Sequence, residues 1–343
     1  MRTLCSQRFE NGMTSFTLDE IEELAAEAMI RLGATQTNAR PVARSIRRAE
    51  ADGIRSVGFG YLPTYLAHLK TGKVKGDAVP IVGVARPSAV IVDAAHGFAH
   101  PAFDAGLQPL IDAARTNGCA TLAISRSYSI GVLGHPVEDI AKAGLVALAV
   151  SNSPPNIAPW GGRIPLFGTN PMAFAAPRID AAPLVIDQAT SVVTKVTLVE
   201  ASRTGSTIPE GWALDADGQA TTDAAAALKG SMLPFGGAKG AGIALIIDLL
   251  AAALTGANFS KDASPYAKAD GPPPGVGQLF VAFDPGAFAP GFLHRIEDVL
   301  AAMLAEDGVR LPGDRRLQMR DRFATEGVTV DDDLLFAITG RAP

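Results

Sequence analysis

Few residues in this chain can do chemistry, and their spacing excludes several reactions at once. Five histidines (His68, His96, His100, His135, His294) and two cysteines (Cys5, Cys119) stand among 343 residues. No H-E-x-x-H, C-x-x-C or G-x-S-x-G pattern occurs, so zinc-protease, dithiol-redox and serine-hydrolase chemistry lack support. His96 and His100 have i, i+4 spacing, but Gly97 and Pro101 place them in a loop. No third ligand follows, so no metal site is read there. His68 and His294 fall in helical contexts and read as structural. His135, in GVLGHPVED, follows a glycine-rich turn, precedes a helix, and is the histidine to watch.

Two other stretches are built to bind. PFGGAKG (Pro234 to Gly240) is a glycine-rich turn with one lysine, followed by an apolar segment that reads as a buried helix. The N–H groups of that helix's first turn suit an anion. Neither G-x-x-x-x-G-K-[ST] nor G-x-G-x-x-G occurs, so the turn alone assigns no nucleotide. Between Ser151 and Pro177, SNSPPNIAPWGGRIPLFGTNPMAFAAP crowds Asn, Ser, Gly, Pro and Trp into a long connection. Such a loop inside a compact domain is either a binding element or a proline-stiffened connector.

The elements that must hold these residues follow from periodicity. Thr17 and Glu20 form a capping box before LDEIEELAAEAMIRLG, with Gly33 where a C-terminal cap belongs. Helices are expected over about residues 38–51 and 62–69. The sixteen N-terminal residues read as a loose tail. From Val79, short β-branched runs alternate with helical stretches over about 101–116 and 137–143, and GQLFVAFDP adds a late strand. The pattern is mixed α/β. The expected organisation is an N-terminal helical segment over 14–75 and a central α/β cofactor- and substrate-binding region over 76–290. C-terminal helices over 291–343 would pack on the N-terminal segment.

A net charge of −5 with no basic stripe argues against a nucleic-acid surface. The most apolar segment, residues 241–257, carries Asp248 and is too short to span a bilayer. With two isolated cysteines and no signal-peptide pattern, a cytoplasmic protein acting on small molecules is expected, with neither nucleic acid nor membrane as partner.

Five motifs in order carry a specific resemblance: the Ser151–Pro177 stretch, LVIDQATS, PFGGAKG, GQLFVAFDP and VRLPGDRR. Together they resemble the malate/L-lactate dehydrogenase family that is unrelated to the Rossmann lactate dehydrogenases, over about residues 17–328. PFGG and GQLF are most similar to its branch reducing Δ1-piperideine-2-carboxylate and Δ1-pyrroline-2-carboxylate. The resemblance implies a non-Rossmann NAD(P)-binding mixed α/β domain, an accessory helical domain built from both termini, and a homodimer. It places the cofactor, NADPH or NADH, against Gly131, Val132, Leu133, Gly134, His135, Asp187, Gln188, Ala189, Ala238, Lys239, Arg310 and Gly313. Thr169 and Asn170 of GTNP would meet a substrate carboxylate. Lys195, Arg203 or Arg310 would meet a 2′-phosphate, and NADPH is the cofactor expected for an imine reductase.

The chain departs from the family where proton transfer is done. The family's Ser-His-Gly followed by arginine reads SVGFGY here: Ser56 is kept, Val57 replaces the histidine and Tyr61 the arginine. A second family histidine becomes Ser129, and an expected acidic residue becomes Thr197. Reducing a ketone creates an alkoxide that needs a proton donor, whereas hydride addition to a protonated C=N yields a neutral amine. The expected activity is therefore reduction of an imino acid, with Tyr61 or Ser56 orienting the substrate and Ser129 beside it. Exchange between 2-oxo and 2-hydroxy acids, with His135 or Tyr61 as substitute acid, is the alternative. A catalytically degenerate nucleotide-binding relative is a third.

Overall fold

The computed structural model describes residues 7–9 and 12–340. Cys5 lies outside them. Within the stretch expected as a loose tail, β1 (Gln7–Phe9) and β2 (Met13–Phe16) pair antiparallel, and β2 also pairs with a strand near the C-terminus. Thr14 and Phe16 alternate inward along β2, which a polar tail would not do. Helix α1 (Leu18–Arg31) starts at the Thr17–Glu20 capping box, as its sequence requires, and Gly33 follows its end at φ 93°. Two more helices, α2 (Gln36–Ala51) and α3 (Leu62–Thr71), are separated by 3-10 turns at Arg55–Val57 and Phe59–Tyr61.

The centre is a mixed sheet. In chain order come β3 (Ile81–Arg86), β4 (Ala89–Asp93), α4 (Ala99–Asn117), β5 (Cys119–Ser127), α5 (Gly134–Lys142), β6 (Val146–Ser151), β7 (Met172–Ala176) and β8 (Leu184–Gln188). After an excursion through α6 (Lys195–Thr204), β9 (Ala213–Leu214), α7 (Ala224–Ala227), β10 (Ser231–Met232) and α8 (Ala238–Asp248), strand β11 (Val276–Phe283) returns to the middle. The seven-stranded order is β3-β4-β5-β11-β6-β7-β8, and β4 with β5 is the parallel pair. The crossover between them is α4, which lies so close that a Cβ on Gly106 would meet Leu122 at 2.6 Å. His100 sits in the first turn of α4 rather than in a loop, because proline at position 101 is tolerated where no intrahelical N–H bond is required.

The Ser151–Pro177 stretch is not all loop. Its end is β7, whose Ala173 and Ala175 face inward; alternating alanines are too small to register as a strand in an apolar scan. The apolar helix after PFGGAKG is only half-buried. Ala244, Ile247 and Ala251 pack inward, while Leu245, Ile246 and Leu249 are exposed.

The C-terminal elements are α9 (Phe292–Leu304), α10 (Asp314–Glu326), β12 (Val328–Asp331) and α11 (Asp332–Thr339). Phe323, Val328, Val330, Leu335 and Ile338 join one core with α1, α2 and α3. Helix α9 is held to the segment after β7 by a bidentate Arg178–Glu297 pair at 3.1 and 2.8 Å. Among the described residues no helix is long and apolar enough to cross a membrane.

Candidate active site

Segment 128–135, between β5 and α5, joins two polar regions. On one side Gly134 N–H donates to Asp187 Oδ2 (2.8 Å), at the end of β8. Asp187 forms part of a cleft of about 1130 Å³ whose wall includes Ser56, Thr194, Thr197, Arg310, Arg315 and Arg316. Burial pushes the Asp187 carboxyl above its ordinary range, with the Arg316 charge opposing. Ser56 is exposed on its 3-10 turn, and Gly313 (φ 93°) abuts the Val185 backbone. Of the expected 2′-phosphate contacts, Arg310 lines the cleft; Lys195 donates to Asn156 (2.7 Å) and Arg203 pairs with Glu200.

The other region is aromatic. Tyr61, half-buried, meets Tyr65 edge-on at 4.9 Å between ring centroids; Tyr65 meets Tyr128 at 5.8 Å, and Tyr128 meets Tyr266 at 5.1 Å. The Ser129 hydroxyl lies beside the Tyr266 phenol, and its Oγ accepts from Gly131 N–H at 3.2 Å. Burial pushes the Tyr61 phenol up to about 12, and the Tyr128 and Tyr266 phenols well above 10. At neutral pH these rings are uncharged.

Three motif loops are stitched together beside the end of β8. Thr169 O accepts from Thr190 N–H (2.8 Å), Thr190 O accepts from Phe235 N–H (2.9 Å), and Ser191 bridges to Pro234. Gln188 is exposed and Ala189 half-buried on this path. The turn 234–237 delivers Ala238 and Lys239, both exposed, to the start of α8. Its N-cap Gly237 has φ 63° and no side chain to satisfy the first-turn N–H groups. A Cβ there would lie 3.1 Å from the Trp160 ring. Uncapped donors, an exposed ammonium and an arginine-walled cleft fit the phosphates of a dinucleotide.

Several expected site residues are committed inside the protein. Asn170, at φ 32° and 0% exposure, donates to Ala244 O (2.9 Å) and accepts from Ser153 N–H and Ser260 Oγ. Thr169 N–H donates to Ser153 Oγ (3.1 Å). His135 is 3% exposed, with Nε2 3.0 Å from Asp52 Oδ2, and burial pushes its imidazole below the usual range. Val132 and Leu133 are buried beside it.

The sequence passed over Tyr128, Tyr266, Asp52 and Arg320, read His68 as structural, and gave Arg316 no role of its own. Asp52 and Glu138 receive Arg320 of α10, and Arg48 of α2 adds a bond to Glu138 at 3.2 Å. The only local signal for these was the clustering of arginine in the last motif, VRLPGDRR, and just after it.

These features define an oxidoreductase that works with a bound dinucleotide. Residues 16–339 match the family model of malate/L-lactate dehydrogenase, and the chain belongs to that family. It is similar to a (2R)-3-sulfolactate dehydrogenase (NADP(+)) of Chromohalobacter salexigens, 48% identical over 304 residues, 89% of this chain and 91% of that one. It is also similar to a Delta(1)-pyrroline-2-carboxylate/Delta(1)-piperideine-2-carboxylate reductase of Pseudomonas aeruginosa, 41% identical over 94% of this chain and 97% of that one. Among solved structures, delta1-piperideine-2-carboxylate reductase from Pseudomonas syringae pvar. tomato superposes with a TM-score of 0.91 at 38% identity, covering 95% of this chain and 99% of that one.

Proposed function

We propose that this enzyme reduces the C=N bond of a carboxylated imine, of the Δ1-pyrroline-2-carboxylate or Δ1-piperideine-2-carboxylate type or an acyclic 2-imino acid, with NADPH or NADH. The observation that carries this is the make-up of the aromatic cluster and of the positions where the resemblance expects acid groups. Valine and serine stand at positions 57 and 129, and the phenols of Tyr61 and Tyr266 are uncharged at neutral pH. A protonated imine brings its own proton, so positioning and charge complementarity suffice. Bound reduced nicotinamide supplies a hydride. Tyr61 and Ser129 orient the reacting group, Thr169 meets the carboxylate, and the aromatic rings exclude water. Lys239 and the α8 N-terminus hold pyrophosphate, with Arg310, Arg315 and Arg316 walling the adjoining cleft.

The likeness to a sulfolactate dehydrogenase supports a second reading, oxidation and reduction between 2-hydroxy and 2-oxo acids. Cofactor oxidation followed with 2-oxo acids, with and without ammonia or methylamine, separates the two. The imine reading expects turnover only when amine is present. Equal rates without amine would replace it with the second.

A further inference from the structure

The cleft that Ser56 lines has more guanidinium groups than carboxylates free to pair with them. Its wall sets Arg55, Arg310, Arg315 and Arg316 against Asp52, Asp187 and Glu200. Each carboxylate is already committed. Asp52 takes His135 and Arg320, Glu200 takes Arg203 at 2.7 Å, and Asp187 accepts from Gly134 N–H with Arg316 at 3.7 Å. Among the described residues Arg310 and Arg315 make no ion pair, and Arg55 has only Glu50, whose Oε2 lies 3.9 Å from its Nε.

That contact leaves the Arg55 fork free. Glu50 is buried, and its Oε1 is taken by Phe59 N–H at 2.7 Å. It packs so closely under the turn that a Cβ on Gly58 would lie 2.3 Å from Oε1. Arg55 is exposed, and its side chain makes no hydrogen bond among the described residues. Open space flanks it on two sides: the cleft of about 1130 Å³, and a hollow of about 300 Å³ that shares Gly53, Arg55 and Met319 with the cleft.

The backbone brings Arg55 to the substrate side. Its 3-10 turn folds onto the one that ends at Tyr61: Gly58 N–H donates to Arg55 O (3.2 Å), Tyr61 N–H donates to Gly58 O (3.0 Å), and a Cβ on Gly60 would lie 3.3 Å from Arg55 O. In the reading above the cofactor phosphates have Lys239, the α8 N-terminus and the arginines at 310, 315 and 316, and the carboxylate at the reacting carbon has Thr169. Arg55 is left over.

We propose that Arg55 is a specificity-determining residue that binds a second oxyanion on the substrate, such as a further carboxylate, in addition to the carboxylate at the reacting carbon. This rests on the reading above that the reacting group lies beside Tyr61. A guanidinium fork pairs both oxygens of such a group at once, which a single point charge does not. A substrate without the group leaves Arg55 to water and forgoes the pair. Among the substrates proposed above, the choice falls on an acyclic 2-imino acid with a second acid group over an unsubstituted ring.

Two matched pairs of acids test this: 2-oxosuccinate against 2-oxobutanoate, and 2-oxoglutarate against 2-oxopentanoate, each with NADPH, with and without methylamine. Wild-type enzyme is expected to favour one diacid over its partner by at least about tenfold in kcat/KM, through a lower KM. Arg55→Gln is expected to remove that preference by raising the diacid KM about tenfold, and Arg55→Lys, which keeps the charge without the fork, to restore part of it. Three results overturn the proposal: no diacid preference in wild type, an equal rise in KM for both members of the pair, or a matching loss of NADPH affinity in a fluorescence titration. If Arg55→Gln lacks wild-type circular dichroism, Arg55→Lys is read in its place, with a partial loss of the preference expected. Amine dependence is scored separately. Equal turnover without amine overturns the imine reading while the diacid preference is still read, and where no acid turns over, binding of each acid to the NADPH-loaded enzyme, followed by NADPH fluorescence, reads it.

Discussion

His135 Nε2 lies 3.0 Å from Oδ2 of Asp52, and the same carboxylate is gripped by Arg320 from α10. Asp52 ends α2 and His135 begins α5, so one carboxylate ties the N-terminal helices, the central sheet layer and a C-terminal helix. Arg320 also donates to both oxygens of Glu138 at 2.7 Å. Removing the arginine leaves two buried anions short of a partner. Arg320→Met is expected to lose about 3 kcal/mol of stability, read as a lower urea midpoint, because a broken buried pair costs more than an exposed one returns.

The same cluster sets an acid limit. Burial alone would raise the carboxyls of Asp52 and Glu138. Bonds from His135 and Arg320 to the first, and from Arg320 and Lys142 to the second, hold both below their ordinary values of 3.8 and 4.5. The unfolded chain then binds more protons than the folded one as acid is added. The stabilisation is fully present above about pH 5 and is lost as pH falls through the folded-state values. Urea midpoints measured downward from about pH 7 should drop below about pH 5, and Glu138→Gln should flatten that drop.

How much of this was legible depends on whether a signal is local. The capping box at Thr17 and Glu20, the glycine after α1 and the β-branched runs of β5 and β6 act within a few residues, and the chain states them directly. Strand β2 was hidden because it is only four residues long and one of its two partners, β12, lies at the other end of the chain. Strand β7 was hidden because alanine carries little β signal. At the site, the losses at Val57 and Ser129 are visible in sequence, but what stands nearby is not. His68 reads as an ordinary helical residue until folding brings Tyr128, 60 positions away, onto its ring.

Lys73 exemplifies such a long-range link. Its buried ammonium ties three carbonyls of loop 265–270, which carries Tyr266 over Ser129. Lys73→Met takes a charged donor from each of those carbonyls, at a cost of about 1–3 kcal/mol. The loop should loosen, raising KM for substrate by about tenfold with a smaller change in kcat. Faster proteolytic nicking within 265–270 checks the structural half; an unchanged KM would detach the loop from the site.

Lys239 is exposed at the start of α8, so its removal should hardly touch stability, within about 0.5 kcal/mol. In the proposed site its ammonium would act on phosphate as a point charge. Lys239→Ala is expected to weaken NADPH binding about tenfold in a fluorescence titration, and added salt should narrow the gap between variant and wild type. A salt-independent loss would mean that the side chain works through packing rather than charge.

Val57 stands on the 3-10 turn next to Ser56, half-buried, at the position where the family resemblance leads one to expect a histidine. Valine neither gives nor takes a proton, whereas a histidine there titrates near pH 6.5 when unperturbed. General acids contribute about 10² to 10⁴ in rate when a proton must be supplied in the transition state. Val57→His should therefore speed reduction of 2-oxo acids by at least about tenfold, with a new acid limb in the pH profile. Reduction of a protonated imine, which needs no donor, should change little. Parallel gains on both substrates would show that the histidine acts on binding, and the missing donor would then cease to explain substrate choice.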